Sequence, residues 1–99
     1  MRPIHVARLD KTRPMLIITR ELVRPHMTTV TIAPITTTIR GLSTEVLVDV
    51  ENGLAGPSVV SCDNITTIPT NALGEQVGVL LDHQEQVLSD AIRAAFDLD

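Results

Sequence analysis

The feature that most restricts the fold is a succession of short apolar runs, each five to eight residues long, rich in β-branched residues and separated by turn signals. MLIIT at 15–19 follows Pro14 and reads as a buried strand. TVTIAPI at 29–35 alternates small or polar with apolar residues, and Pro34 is expected at its end or at an edge, because proline has no N–H for a ladder. STEVLVDV at 43–50 places Val46, Val48 and Val50 on one face and Glu45, Leu47 and Asp49 on the other. Asn52-Gly53 and Gly56-Pro57 punctuate the chain. SVVSCD at 58–63, NITTIP at 64–69 and QVGVLL at 76–81 continue the β pattern, with Thr70 placed to cap one helical turn through Leu73. The rhythm changes only at the end. Asp82 can serve as an N-cap with Glu85 three places on, and Val87, Leu88, Ala91, Ile92, Ala95 and Phe96 then recur at helical spacing. Short strands followed by one late helix predict a mainly β fold with a C-terminal helix, its sheet strongly curved or closed into a small barrel.

At 99 residues the chain has room for one domain, spanning 1–99, around one core. That core must be aliphatic, since Phe96 is the only aromatic residue. The same scarcity counts against RNA-binding modules that stack bases on exposed rings. No apolar run reaches the roughly 18 residues of a membrane span, and MRPIHVARLD lacks the apolar stretch of a signal peptide, so a cytoplasmic protein is expected. The net charge of −4 hides an asymmetry. Residues 1–50 carry seven basic and four acidic side chains, whereas residues 51–99 set only Arg93 against eight acids. A basic half is compatible with binding a short RNA, because affinity for phosphate follows the local field and not the total.

Chemistry is sparse. There is no Gly-rich phosphate loop and no paired-His metal motif, and no cofactor is expected. Cys62 lies in an alternating run and reads as a buried small hydrophobe; His5, His26 and His83 are isolated and read as surface or packing residues. Polar residues at strand ends remain. Arg13 precedes one buried strand, and Thr36, Thr37 and Thr38 follow another. Strand ends converge in a curved sheet, so a guanidinium fork and a threonine hydroxyl could face one phosphate. Arg20, Arg24 and Arg40 are further candidates for phosphate contacts, and equally for a solvated rim.

Four stretches in order, RPMLIITRE at 13–21, VTIAPITTTIRGLSTEVLV at 30–48, GL…PSVVSCDNITTI at 53–68 and L…VGVL at 73–80, resemble the MazF/PemK toxins of type II toxin–antitoxin systems, and TTTIRGL followed by TEV resembles their actinobacterial branch. The resemblance runs from about Ile4 to Phe96. It implies an SH3-like barrel of the MazF/CcdB type, usually a homodimer, holding single-stranded RNA in a groove that a cognate MazE-like antitoxin occupies when it silences the toxin. It also implies metal-independent, sequence-specific cleavage by attack of a 2′-hydroxyl on the adjacent phosphate, leaving 2′,3′-cyclic phosphate and 5′-hydroxyl ends. The catalytic arginine of the R-P motif falls on Arg13 and the catalytic threonine of A-P-x-T on Thr36. Thr37, Arg20, Arg24 and Arg40 stand as RNA-binding candidates. Many relatives carry a G-x-E-Q loop before the R-P motif that is missing here, which should open the groove. A guanidinium is a poor base at neutral pH, so the base is left unassigned between guesses such as Asp10 and His5. Two other readings stand beside this one: a catalytically inactive family member, and a CcdB-like gyrase poison. The second relies on an aromatic C-terminal tail, and this chain ends AAFDLD.

Overall fold

The computed structural model describes residues 2–8 and 11–99. Seven strands form a single antiparallel sheet: β1 (Pro3–Arg8), β2 (Thr12–Ile17), β3 (Thr29–Thr36), β4 (Glu45–Val48), β5 (Ser58–Ser61), β6 (Thr66–Pro69) and β7 (Leu73–Val79). One helix, α1 (Glu85–Ala95), follows. The strand order is β4-β5-β3-β2-β1-β7, with β6 paired to β3 beside the main path. The architecture is therefore the expected one, a curved and barrel-like β-sheet with a C-terminal helix.

β3 organises this sheet. On one side Ile32, Ala33 and Pro34 pair with Ile17, Leu16 and Met15 of β2. On the other side residues Thr29 to Ile32 pair with β6, and Ile35 and Thr36 then pair with β5. Pro34 is thus neither at an edge nor at the end of its strand. It sits where one neighbour hands over to the next, and a residue without an N–H is tolerated where the ladder is interrupted.

Period-two alternation sends side chains into two apolar clusters. Leu16 joins Ile4, Ala33, Val46, Val48, Val60, Leu80, Leu88 and Ala91 on the side covered by α1. Its neighbours Met15 and Ile17 join Val30, Ile32 and Ile68 on the other. Val50 departs from the predicted face and is exposed, because the chain leaves β4 into a 3-10 turn at Val50–Asn52. The helix face is also narrower than its sequence suggests. Leu88 and Ala91 are buried with Ile92 and Ala95 packed beside them, while Val87 and Phe96 are largely exposed.

The start of the helix differs from the expected capping pair. Asp82–Gln84 forms a 3-10 turn ahead of α1, and it is Gln84 whose side-chain Oε1 accepts from the Leu81 N–H at 2.9 Å. Glu85 instead faces Arg2, with the Arg2 Nε donating to its Oε1 at 3.2 Å.

The edge strands β4 and β7 are joined by two buried amides. Asn52 Nδ2 donates to the Val79 carbonyl at 3.0 Å and to Gln84 Oε1 at 2.6 Å, and Asn52 Oδ1 accepts from the Asp49 N–H at 3.1 Å. Gln84 Nε2 reaches the Leu47 carbonyl at 3.4 Å. These bonds satisfy groups that would be costly to bury unpaired, and they tie the turn after β4, the end of β7 and the entry to α1 into one joint.

Candidate active site

The register of the sheet assembles the site. Met15 pairs with Pro34, so carrying that antiparallel register on by two residues sets Arg13 opposite Thr36, and the period of two keeps both on one face. Thr36 pairs with Val59 in β5, and Ser61, two residues further along β5, pairs with Glu45 of β4. One stripe across β2, β3, β5 and β4 thus carries Arg13, Thr36, Ser61 and Glu45. These four residues line a cleft of about 360 Å³, completed by Pro34, by Thr38, Arg40 and Leu42 from the β3–β4 connection, and by Asp63 and Asn64 after β5.

The polar groups in this cleft are not equivalent. Among the described residues the Arg13 guanidinium makes no hydrogen bond or ion pair, although the residue is half-buried, so its fork of donors is open to a ligand. Thr36 Oγ1 accepts the Thr38 N–H at 3.2 Å. That bond uses an oxygen lone pair and leaves the hydroxyl proton to be donated into the cleft. Asn64 Nδ2 treats Ser61 Oγ in the same way at 2.8 Å.

Two carboxylates share the cleft and serve different ends. Glu45 Oε1 accepts from the Arg40 N–H at 3.2 Å and the Leu42 N–H at 3.1 Å. Its charge is spent on shaping the β3–β4 connection, the wall that carries Thr38, Arg40 and Leu42. Asp63 is exposed, and its Oδ2 accepts from Thr44 Oγ1 at 2.7 Å. With no other hydrogen bond to this carboxylate among the described residues, its second oxygen is free to accept a proton from a bound molecule.

The other candidates separate. Arg40 lines the cleft with Arg13 and Thr36, whereas Thr37 is exposed and does not line it. Arg20 and Arg24 lie elsewhere, in a second cleft of about 190 Å³ with Arg2, Thr19, Glu21 and Glu85. Of the two guesses at a base, His5 Nδ1 is 2.9 Å from the Gly74 carbonyl and its residue does not line the cleft, and Asp10 lies outside the described residues. Glu45, Ser61, Asp63 and Asn64 were not singled out by sequence; the only signal was the Asp63-Asn64 pair, where the run at 58–63 meets the run at 64–69.

Cys62 is fully buried in the core beside this site, and its thiol is pushed up from 9.0 to about 11, first by burial and then by the charge of Asp63. A protonated, enclosed thiol is a poor nucleophile. The native protein should resist iodoacetamide at pH 8 and react fully once unfolded in denaturant; rapid alkylation of folded protein would contradict this placement. Because the unfolded chain gives up this proton near 9.0 and the folded chain only near 11, the contribution is whole below pH 9 and is lost as pH rises to 11. Its size is on the order of 3 kcal/mol.

Comparison with known proteins places this arrangement. Residues 4–96 match the family described as PemK-like, MazF-like toxin of type II toxin–antitoxin system. Endoribonuclease MazF3 of Mycobacterium tuberculosis is 68% identical over 99 residues, covering 100% of this chain and 96% of that protein. The structure of the Mycobacterium tuberculosis toxin MazF-mt6 superposes with a TM-score of 0.97 at 67% identity, over 99% of both chains. A mycobacterial endoribonuclease solved in complex with its cognate antitoxin gives a TM-score of 0.88 at 26% identity, over 98% of this chain and 93% of that one. The chain therefore belongs to the PemK-like, MazF-like toxins of type II toxin–antitoxin systems.

Proposed function

We propose that this endoribonuclease toxin cuts single-stranded RNA in the cleft between Arg13, Thr36 and Asp63, by making the RNA attack itself. The observation that supports the reading most strongly is the cross-strand placement of an unpartnered arginine opposite a threonine whose hydroxyl proton is free. Arg13 contacts the non-bridging phosphate oxygens and the departing 5′-oxygen, where negative charge grows in the transition state. Thr36 donates to the phosphate and holds it in line with the 2′-hydroxyl.

The missing proton acceptor is Asp63. Arg13 and Arg40 are too basic for the task, and Glu45 is committed to two backbone N–H groups. A carboxylate left open on one oxygen can take the 2′-hydroxyl proton. The 2′-oxygen then bonds to phosphorus, the bond to the 5′-oxygen breaks, and that oxygen takes a proton from solvent. The products are a 2′,3′-cyclic phosphate and a 5′-hydroxyl. No water enters this step, and neither a metal ion nor a cofactor is required by it.

By the same resemblance the toxin works as a homodimer in the cytoplasm, where its RNA substrate lies, and a MazE-like antitoxin silences it; a mycobacterial endoribonuclease of the same fold is in complex with its cognate antitoxin. Among the described residues no helix is long and apolar enough to cross a membrane. A gyrase-poisoning role is not favoured, since the relative at 68% identity is named an endoribonuclease.

Asp63→Asn tests the assignment. The amide keeps an acceptor for the Thr44 hydroxyl but cannot serve as a base, so kcat should fall at least about 100-fold. An Asp63→Asn protein that cuts RNA at the original rate would place the base elsewhere.

A further inference from the structure

At the far end of β2 from Arg13, the second cleft gathers three guanidiniums, those of Arg2, Arg20 and Arg24, around Thr19. We infer that this cleft is a second phosphate-binding site, which grips the RNA backbone several nucleotides from the scissile bond; the inference rests on the reading of the chain as an RNA-cleaving toxin.

Four observations carry it. First, the Arg24 Nε is buried yet has no hydrogen-bond partner among the described residues. A buried charged donor left unpaired is costly, and an acceptor oxygen in the adjoining cleft would satisfy it. Second, Thr19 Oγ1 accepts the Thr31 N–H at 2.8 Å, so its hydroxyl proton is free to donate, the same device that frees Thr36. Third, Arg2 is already fixed in place. Its Nε is held by Glu85, and one terminal nitrogen donates to the Ile18 carbonyl, which spares a ligand the cost of ordering that side chain.

Fourth, the charge balance favours an anion. Two carboxylates line the cleft. Glu85 is ion-paired with Arg2 at 3.2 Å, although its buried Oε2 has no hydrogen-bond partner among the described residues. Arg20 and Arg24 stand against the exposed Glu21, so the three guanidiniums outnumber the two carboxylates. Guanidinium forks with a hydroxyl donor match a phosphate group.

The distance sets the substrate. β2 runs to Ile17 and Thr19 lies two residues beyond it, so the six residue steps from Arg13 to Thr19 span up to about 20 Å. An RNA only a few nucleotides long cannot occupy both clefts, whereas a longer strand or a folded RNA can.

The experiment compares Arg24→Gln with the unaltered toxin on a long RNA and on the shortest fragment of it that is still cut. Arg24→Gln should raise KM for the long RNA about tenfold, leave its kcat unchanged, and leave the fragment's kinetics unchanged. The salt dependence of binding to the long RNA should flatten by about 0.7 unit of log K per log of salt. Arg24→Lys should recover part of the loss, and melting temperatures identify any variant that fails to fold. Inorganic phosphate, as a separate probe, should raise the melting temperature of the unaltered toxin more than that of Arg24→Gln.

Equal losses on long and short RNA, or none on either, would overturn the proposal. So would a variant that keeps its RNA kinetics but loses affinity for an acidic antitoxin peptide, which would make the cleft a protein-docking site. If the unaltered toxin cuts neither RNA, the reading of the enzyme itself fails, and that result is distinct from all of these.

Discussion

Replacing Arg13 by alanine is expected to slow RNA cleavage about 1,000-fold under single-turnover conditions, while the protein still folds and melts as before. The size follows from removing preorganised donors aimed at developing phosphate charge, an effect on the order of 100- to 1,000-fold for a single donor elsewhere and larger for a fork of several. The selectivity follows from the structure. Arg13 makes no hydrogen bond or ion pair with the described residues, so its loss leaves no protein group unsatisfied, and stability should change by less than about 1 kcal/mol. Arg13→Lys keeps a charge but not the planar fork and should restore only part of the rate. A variant that binds and cuts RNA at the original rate would remove the arginine from the mechanism.

The second large effect is on stability. A Cβ at residue 78 would lie 1.7 Å from the Asn52 carbonyl oxygen and 2.7 Å from its carbon. Both are backbone atoms, and no side-chain rotation can clear them. Gly53 makes the reciprocal approach, with a φ of +89° and a would-be Cβ 2.2 Å from the Val77 carbonyl oxygen. Gly78→Ala must therefore push β7 away from the turn after β4, and it strains the bonds from Asn52 to Val79 and Gln84. The expected cost is about 3 kcal/mol or more, read as a lower urea midpoint. Gly56→Ala is the control, since no atom lies within 4 Å of its would-be Cβ, and it should shift stability by no more than about 0.5 kcal/mol. Equal midpoints for the two variants would contradict the account of this joint.

These two sites mark where sequence reading works and where it stops. Periodicity within an element, two in a strand and 3.6 in a helix, is a local property, and it located most of the sheet and the apolar stripe at Leu88 and Ala91. What strands do to one another is not local. Nothing in the residues around Arg13 says that Thr36 lies opposite; that follows from the Met15–Pro34 pairing. The pair was nameable in advance only through its family motifs. Glu45 looked like the solvent side of an alternating strand, and it faces the cleft because β4 pairs with β5 in a register that sets it against Ser61.

The same limit explains the misread cap and the arginines. Asn52 was legible as a turn residue, but its burial against Gln84 joins positions 32 residues apart in the chain. Asp82 opens a 3-10 turn and the N-cap position of α1 falls on Gln84, so Asp82 does not sit where it could cap the helix. Arg20, Arg24 and Arg40 looked alike in a basic half of the sequence. The fold sends Arg40 to the cleft of Arg13 and the other two to the opposite end of β2.

The chemistry of the cut ends tests the central claim most directly. Purified toxin incubated with RNA in EDTA should yield 5′-hydroxyl termini and 2′,3′-cyclic phosphates at every cut, with no such ends from Arg13→Ala over the same time. Cuts bearing 5′-phosphates and 3′-hydroxyls, or cleavage that stops when EDTA is added, would contradict attack by the neighbouring 2′-hydroxyl in a cleft built from Arg13, Thr36 and Asp63.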